Sequence, residues 1–136
     1  MTSPIVYVDA EGITKTWLLS TSLAISVSNN VFMAMPKGQP RPAIILQRVG
    51  GAPSVGTVPV DEARISFHCY AVNRPQASDI VRLLAGYVDS ISRLGGYSSG
   101  NARIVNGEVV SVIWLPDPIT DTPRYILDAI VRVIAV

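Results

Sequence analysis

The thirteen residues from Arg124 to Val136 constrain the fold more than any other stretch of the chain. Two readings are open for them. Thr122-Pro123 could start a helix that lines Arg124, Asp128 and Arg132 along one face. The six β-branched residues in the run favour a strand instead, because branching at Cβ suits a pleated surface better than a helical turn. As a strand, Tyr125, Leu127, Ala129, Val131 and Val133 face one way. Arg124, Ile126, Asp128, Ile130, Arg132 and Ile134 then face the other. Both faces are substantially apolar, so one can pack on helices while the isoleucine side needs cover from the first helix or from another subunit.

Composition bears on that choice. Charged residues are 15% of the 136 residues, against about 25% in an average soluble chain, while hydrophobic residues reach 49%. The length suits one domain with its own core, and the apolar fraction excludes disorder. Lys15 and Lys37 are the only lysines, and every other cation is arginine, the residue favoured at interfaces. Lys+Arg 11 against Asp+Glu 10 leaves a net charge of +1 with no basic run, so a phosphate-gripping surface is not expected. Seven Ser, Thr and Asn residues interrupt the apolar stretch from Trp17 to Met35, which disfavours a bilayer-spanning helix. The opening residues lack the basic start of a secretory signal, and the lone Cys69 asks for no oxidising compartment. A soluble, intracellularly made protein is expected.

One domain spanning residues 1–136 is expected, with no repeat or linker. Asp9 to Ser22 reads as a helix capped by Asp9, with Ile13, Trp17 and Thr21 on one face. Val31 to Met35 is a short apolar run, Pro36 to Pro42 a connection, and Ala43 to Val49 a strand stopped by Gly50-Gly51. Arg64 to Val72 alternates, placing Ile65, Phe67, Cys69 and Ala71 opposite Arg64, Ser66, His68 and Tyr70. Gln76 to Leu94 is the clearest helix: Pro75 suits its start, and Ala77, Ile80, Val81, Leu84, Val88 and Ile91 form its apolar stripe. Its other face carries Asp79, Arg82, Asp89 and Arg93, with Asp89 and Arg93 spaced to pair. Arg103 to Leu115 is rich in Val and Ile and is broken by Asn106-Gly107, a hairpin signal; Pro116-Asp117-Pro118 ends it.

Catalytic chemistry finds little support. Cys69 is the plausible nucleophile and His68 the only histidine, but neighbours on a strand point to opposite faces and cannot pair. Cys69 therefore reads as a core residue and His68 as a surface or interface residue. One Cys and one His leave too few ligands for a zinc site. Asp61-Glu62 could join a calcium or magnesium site, though they read better as solvated residues before a strand. Asp117 and Asp121 read as turn caps. The Gly50 to Gly56 segment lacks the Lys-Ser/Thr of a phosphate loop and reads as a mobile loop, and no G-x-S-x-G elbow accompanies the serines. No catalytic residue, cofactor or metal is expected.

The order of segments resembles the tail terminator and tail-completion proteins of long-tailed bacteriophages, particularly actinobacterial siphophages. The residues that carry the resemblance are Ile45-Leu46-Gln47-Arg48-Val49-Gly50-Gly51, then Asp61 with Ala63-Arg64-Ile65-Ser66-Phe67-His68-Cys69-Tyr70-Ala71. Ala77-Ser78-Asp79-Ile80, Leu115-Pro116-Asp117-Pro118 and Pro123-Arg124-Tyr125 complete it, from about Pro42 to the C-terminus. The resemblance implies an α+β subunit whose mixed, mainly antiparallel sheet carries two α-helices and which forms a homohexameric ring. It further implies a virion structural protein, assembled in the host cytoplasm and placed at the head-proximal end of the tail. There the ring caps the tail tube, ends polymerisation and offers the head-tail joining surface. Its partners would be copies of itself, the tail tube protein and the head-tail connector proteins. DNA would pass the lumen without specific binding, and no membrane is involved.

In such a ring, Arg124, Tyr125, Ile126, Ile130 and Arg132 are the expected subunit contacts. Gly50, Gly51, Val55 and Val58 belong to a loop expected to reach a neighbour or the tail. Two other roles remain open. One is a head-completion or connector protein, separable by attachment to heads rather than tails. The other is a small module for an apolar ligand, walled by Trp17, Trp114 and tyrosines, separable by ligand-dependent tryptophan fluorescence in a monomer.

Overall fold

A computed structural model describes residues 6–54 and 59–136. Its elements, in order, are helix α1 (Ala10–Ser20), the one-turn helix α2 (Leu23–Ser26), β1 (Val31–Phe32), β2 (Ala43–Ser54) and β3 (Val60–Tyr70). Helix α3 (Arg74–Ser90), β4 (Tyr97–Ser99), β5 (Ala102–Trp114) and β6 (Arg124–Ala135) follow. The strands form one six-stranded sheet in the order β1-β2-β3-β6-β5-β4, parallel between β1 and β2 and antiparallel elsewhere. The α+β class, the mixed sheet and its two long helices are as expected, with α2 added between α1 and β1.

The helices start where the sequence offers caps. The Asp9 carboxylate accepts from the Gly12 N–H at 3.1 Å, and the Asn73 side chain accepts from the Gln76 N–H at 2.9 Å, satisfying donors that the first helical turn leaves free. Pro75 occupies the first turn of α3, where a missing N–H costs nothing. The whole expected stripe of α3, from Ala77 to Ile91, is buried. It lies on Ala63, Ile65 and Phe67 of β3 and Leu127, Ala129, Val131 and Val133 of β6, all at most 1% exposed. α1 and α2 add Ile13, Trp17, Leu18 and Leu23 to the same core.

β6 is a strand throughout, and the half of it expected to face the helices does so. Two turn signals, by contrast, sit inside strands. Gly50-Gly51 do not stop β2: Gly50 pairs with Arg64 and Gly51 with Ala63, after a bulge between Arg48 and Gly50. Gly51 has φ +84, and a Cβ there would lie 2.0 Å from the Glu62 carbonyl oxygen, so the pair of glycines shapes a bulge rather than a loop. Asn106-Gly107 likewise form no hairpin. β5 runs through them, pairing Asn106 with Arg132 and Gly107 with Val131. Gly107 serves close approach, since an added Cβ would meet the Val88 carbonyl oxygen at 3.0 Å and Ile91 Cδ1 at 3.1 Å.

The expected Asp89–Arg93 pair is also absent. Asp89 Oδ1 accepts from the Val109 N–H at 3.3 Å, tying α3 to β5, while Arg93 Nη2 donates to Ser90 Oγ at 3.2 Å. Helix α3 ends at Ser90, so Arg93 lies beyond the turn that the pairing rule assumes.

Glycines in the two settings should respond oppositely to a methyl group. Gly51→Ala forces a strained backbone into a filled space and is expected to lower stability by about 1–3 kcal/mol. Gly86, helical and with nothing within 4 Å of its would-be Cβ, should gain about 0.5–1 kcal/mol on change to Ala. Urea denaturation of the two variants measures both signs.

Candidate functional site: the uncovered sheet face

All three helices contribute to one core on one side of the sheet, which leaves the opposite side without a helix layer; Ile45 and Ser66 on it are each 5% exposed, so its open part lies toward β6 and β5. Register places the residues of that side in rows. Ile45, His68, Ile126 and Ile113 lie side by side across β2, β3, β6 and β5. Gln47, Ser66, Asp128 and Ser111 form the next row, then Arg64, Ile130 and Glu108, then Glu62, Arg132 and Asn106. Ile126, Ile130 and Ile134 are half-buried and Ile113 is 51% exposed. Ile45 in the same row is buried, so it is the isoleucines of β6 and β5 that lack the cover their composition asks for, and α1 does not supply it.

In the middle of this face the charges are paired with one another. Arg64 reaches Asp128 at 3.5 Å, and Arg132 lies 3.6 Å from Glu62 and 3.4 Å from Glu108 while donating to Asn106 Oδ1 at 2.9 Å. Such half-exposed pairs add about 0–1 kcal/mol each to stability. Their larger consequence is that no cluster of unpaired cations is left to hold phosphate.

At one end of the face, Arg124 organises a polar cluster. It is 8% exposed, and its Nε donates to the Leu115 carbonyl at 2.9 Å. Its Nη1 lies 3.3 Å from both His68 Nδ1 and the Tyr70 hydroxyl, and Tyr70 in turn donates to Asp117 Oδ2 at 3.4 Å. A guanidinium can only donate, so Nδ1 accepts and His68 is neutral with its proton on Nε2. Burial, with the Arg124 charge second, holds the His68 pKa below its ordinary 6.5.

Of the five expected contact residues, Arg124, Ile126, Ile130 and Arg132 share the uncovered face. Tyr125 lies on the helix side, its ring 5.0 Å from that of Trp114, whose face carries the Arg74 guanidinium at 4.3 Å. Gly50 and Gly51 sit in the outer part of β2, where residues 51–54 are exposed, and Val55 and Val58 lie outside the described residues.

The chemical candidates are kept apart. Cys69 is fully buried beneath the helices with its thiol pushed up to about 12 by burial, on the side of β3 opposite His68. Asp61 and Glu62 also diverge. Asp61 is not solvated: it is 2% exposed and takes two hydrogen bonds from Arg48, at 2.6 and 2.7 Å. Glu62 points the other way, to Arg132. Among the described residues no three His, Cys, Asp or Glu side chains gather as metal ligands, and no helix is long and apolar enough to cross a membrane. Trp17 borders Tyr87 and Leu94 at the far end of α3 from Trp114, so the tryptophans do not wall one pocket.

The outward side of α3, expected as a charged face with Asp79, Arg82, Asp89 and Arg93, is also apolar. Leu83, Gly86, Tyr87 and Leu94 line an open groove of about 500 Å³ there, rimmed by Arg82 and Arg93. The available signal was the presence of Leu83, Tyr87 and Leu94 outside the core stripe, with a glycine among them.

No protein-family model matches the chain, and no curated protein does. A solved chain of the virion of a native gene transfer agent (GTA) particle shares its fold, with a TM-score of 0.66 covering 94% of this chain and 95% of that one, at 19% identity.

His68 makes a stability test of the polar cluster. Its lowered pKa means that the unfolded chain binds the proton more readily. The contribution of the neutral ring is therefore fully present above 6.5 and is lost as the pH falls from 6.5 through the lowered value. It is the only histidine, so His68→Gln should flatten the decline of the melting temperature over that interval, as read by circular dichroism.

Proposed function

We propose that this protein is a structural subunit of a phage-like virion and, within it, the tail terminator. Copies of the chain would form a hexameric ring on the head-proximal end of the tail tube, stop its polymerisation and offer the surface that the head connector joins. The observation that carries the reading is the fold shared along nearly its whole length with a chain of a gene transfer agent virion. The uncovered, partly apolar sheet face supports self-association, because a half-buried row of isoleucines gains from a second layer.

Ile126, Ile130 and Arg132 contribute to the contact between subunits from the uncovered face, Arg124 by holding the polar cluster at its end and Tyr125 through its packing under Trp114. The outer parts of β2 and β3, starting at Gly50 and Gly51, reach a neighbouring subunit or the tube. Self-compensated arginines suit a ring through which DNA slides, since a lumen that released counterions from many phosphates would grip it. Closed rings follow from a contact between two different surfaces, repeated until the rotation closes.

Light scattering on the purified protein and negative-stain images of it with tail tubes test this. Rings, and tubes capped at one end, are expected; Ile130→Asp should shift the protein toward monomer, weakening association by about tenfold or more. A wild-type protein that stays monomeric at all concentrations and never attaches to tubes would overturn the reading, as would attachment to isolated heads alone.

A further inference from the structure

Ile119 is 92% exposed, more than any other large apolar side chain among the described residues, yet the turn that carries it is firmly held. Asp117 Oδ1 accepts from the N–H groups of Ile119 at 2.9 Å and Thr120 at 3.2 Å. The Asp117 carbonyl accepts from the Asp121 N–H at 2.8 Å, and its own N–H donates to the Thr122 carbonyl at 3.0 Å. The hydroxyls of Thr120 and Thr122 lie 2.7 Å apart, and Pro116 and Pro118 restrict the flanking backbone. A rigid turn that holds an isoleucine in water resembles a preorganised anchor, whose ordering cost is met before binding. The anchor is acidic: Asp117 and Asp121 flank it, neither with an ion-pair partner among the described residues. The backbone hydrogen bonds from Ile119 and Thr120 hold the Asp117 carboxyl below the usual carboxylate range.

The groove on α3 has the complementary character. Leu83, 50% exposed, and Leu94, 75% exposed, wall it with Tyr87. Gly86 is in its lining, although glycine is unfavourable inside a helix and nothing in the chain approaches the space that a Cβ would fill. No close approach within the chain requires it. On the rim, Arg82 is paired only with its neighbour Asp79, and Arg93 has no ion-pair partner among the described residues.

A chain cannot fill its own groove. The turn follows Trp114 at the sheet end where α3 begins, while the groove runs along the C-terminal half of α3. Resting on the ring reading above, we infer that the Ile119 turn of one copy docks in the α3 groove of the next, Ile119 between Leu83, Gly86, Tyr87 and Leu94, with Asp117 and Asp121 facing Arg82 and Arg93. Donor and acceptor surfaces differ, so the contact repeats head to tail, as a ring requires.

Ile119→Asp and Leu83→Asp test the two halves. Both sites are exposed, and circular dichroism checks that each variant is folded. Each alone should associate about ten- to hundredfold more weakly in sedimentation experiments. An equimolar mixture should form heterodimers and stop there, because one variant keeps a sound groove and the other a sound turn. Variants that form wild-type rings separately overturn this contact and leave the ring reading standing. A mixture that stays monomeric also overturns the contact, and a wild-type protein that never associates overturns both.

Discussion

Burial of the facing sides of β3 and β6 under α3 is the constraint from which the rest of the molecule follows. These two strands occupy the centre of the sheet, and their inner residues are closed off from water almost completely. Each fully buried Ile, Leu, Val or Phe contributes about 1.5–3 kcal/mol, so the pair of strands and its helix form the part least able to open. The requirement reaches outward to β5, where Gly107 gives up a side chain so that Val88 and Ile91 can approach. Asp89 closes the same junction by accepting the Val109 N–H.

A sheet that spends its helices on one side must manage the other side by different means. Here the central residues of the uncovered face alternate isoleucine with arginine-carboxylate pairs, which keeps the face wet without making it basic or acidic. The low charged fraction is thus spread unevenly: Arg64 and Arg132 are spent on Asp128, Glu62 and Glu108, while Arg124 at the end of the face is held by neutral groups. Along β5 the paired partner β4 covers only Ala102 to Ile104, so the rest of that strand is an edge. Two bulges in its pairing with β6 twist it, a device that blunts edge-to-edge addition. Association through faces and projections is left as the better-supported route.

Most of the layer structure was legible from periodicity. The α3 stripe and the alternation of β3 and β6 are patterns with a period of their own, and packing reinforced each of them. What failed were short signals with two physical meanings. Gly50-Gly51 and Asn106-Gly107 are as suited to a bulge or a close helix approach as to a turn, and only the position of the partner strand or helix decides. Asp61 looked solvated because its partner, Arg48, is thirteen residues away in sequence and meets it only once β2 and β3 pair. Strand alternation placed Arg124, Ile126, Ile130 and Arg132 on one face of β6 and Tyr125 on the other, and the pairing of β6 with β3 and β5 puts them there. Ile119 carries no periodic signal, whereas Leu83, Tyr87 and Leu94 recur at helical spacing on a side of α3 that its charges marked as solvated; that they stay exposed is a property of the folded surface.

The distribution of unpaired charge bears on how copies of this chain can meet. A partly apolar, self-neutralised sheet face discriminates poorly, and packing it against the same face of a second copy would give a closed pair. Such a twofold contact brings identical surfaces together, so the carboxylates of Asp117 and Asp121, beside the end of the face, would gain no cation beyond Arg124, whose charge already acts on Asp117. Opposing the helix layer of a neighbour instead brings those carboxylates toward Arg82 and Arg93. In the ring proposed above, that contact between two different surfaces would be the favoured one, because it pairs unlike charges where the twofold contact would not.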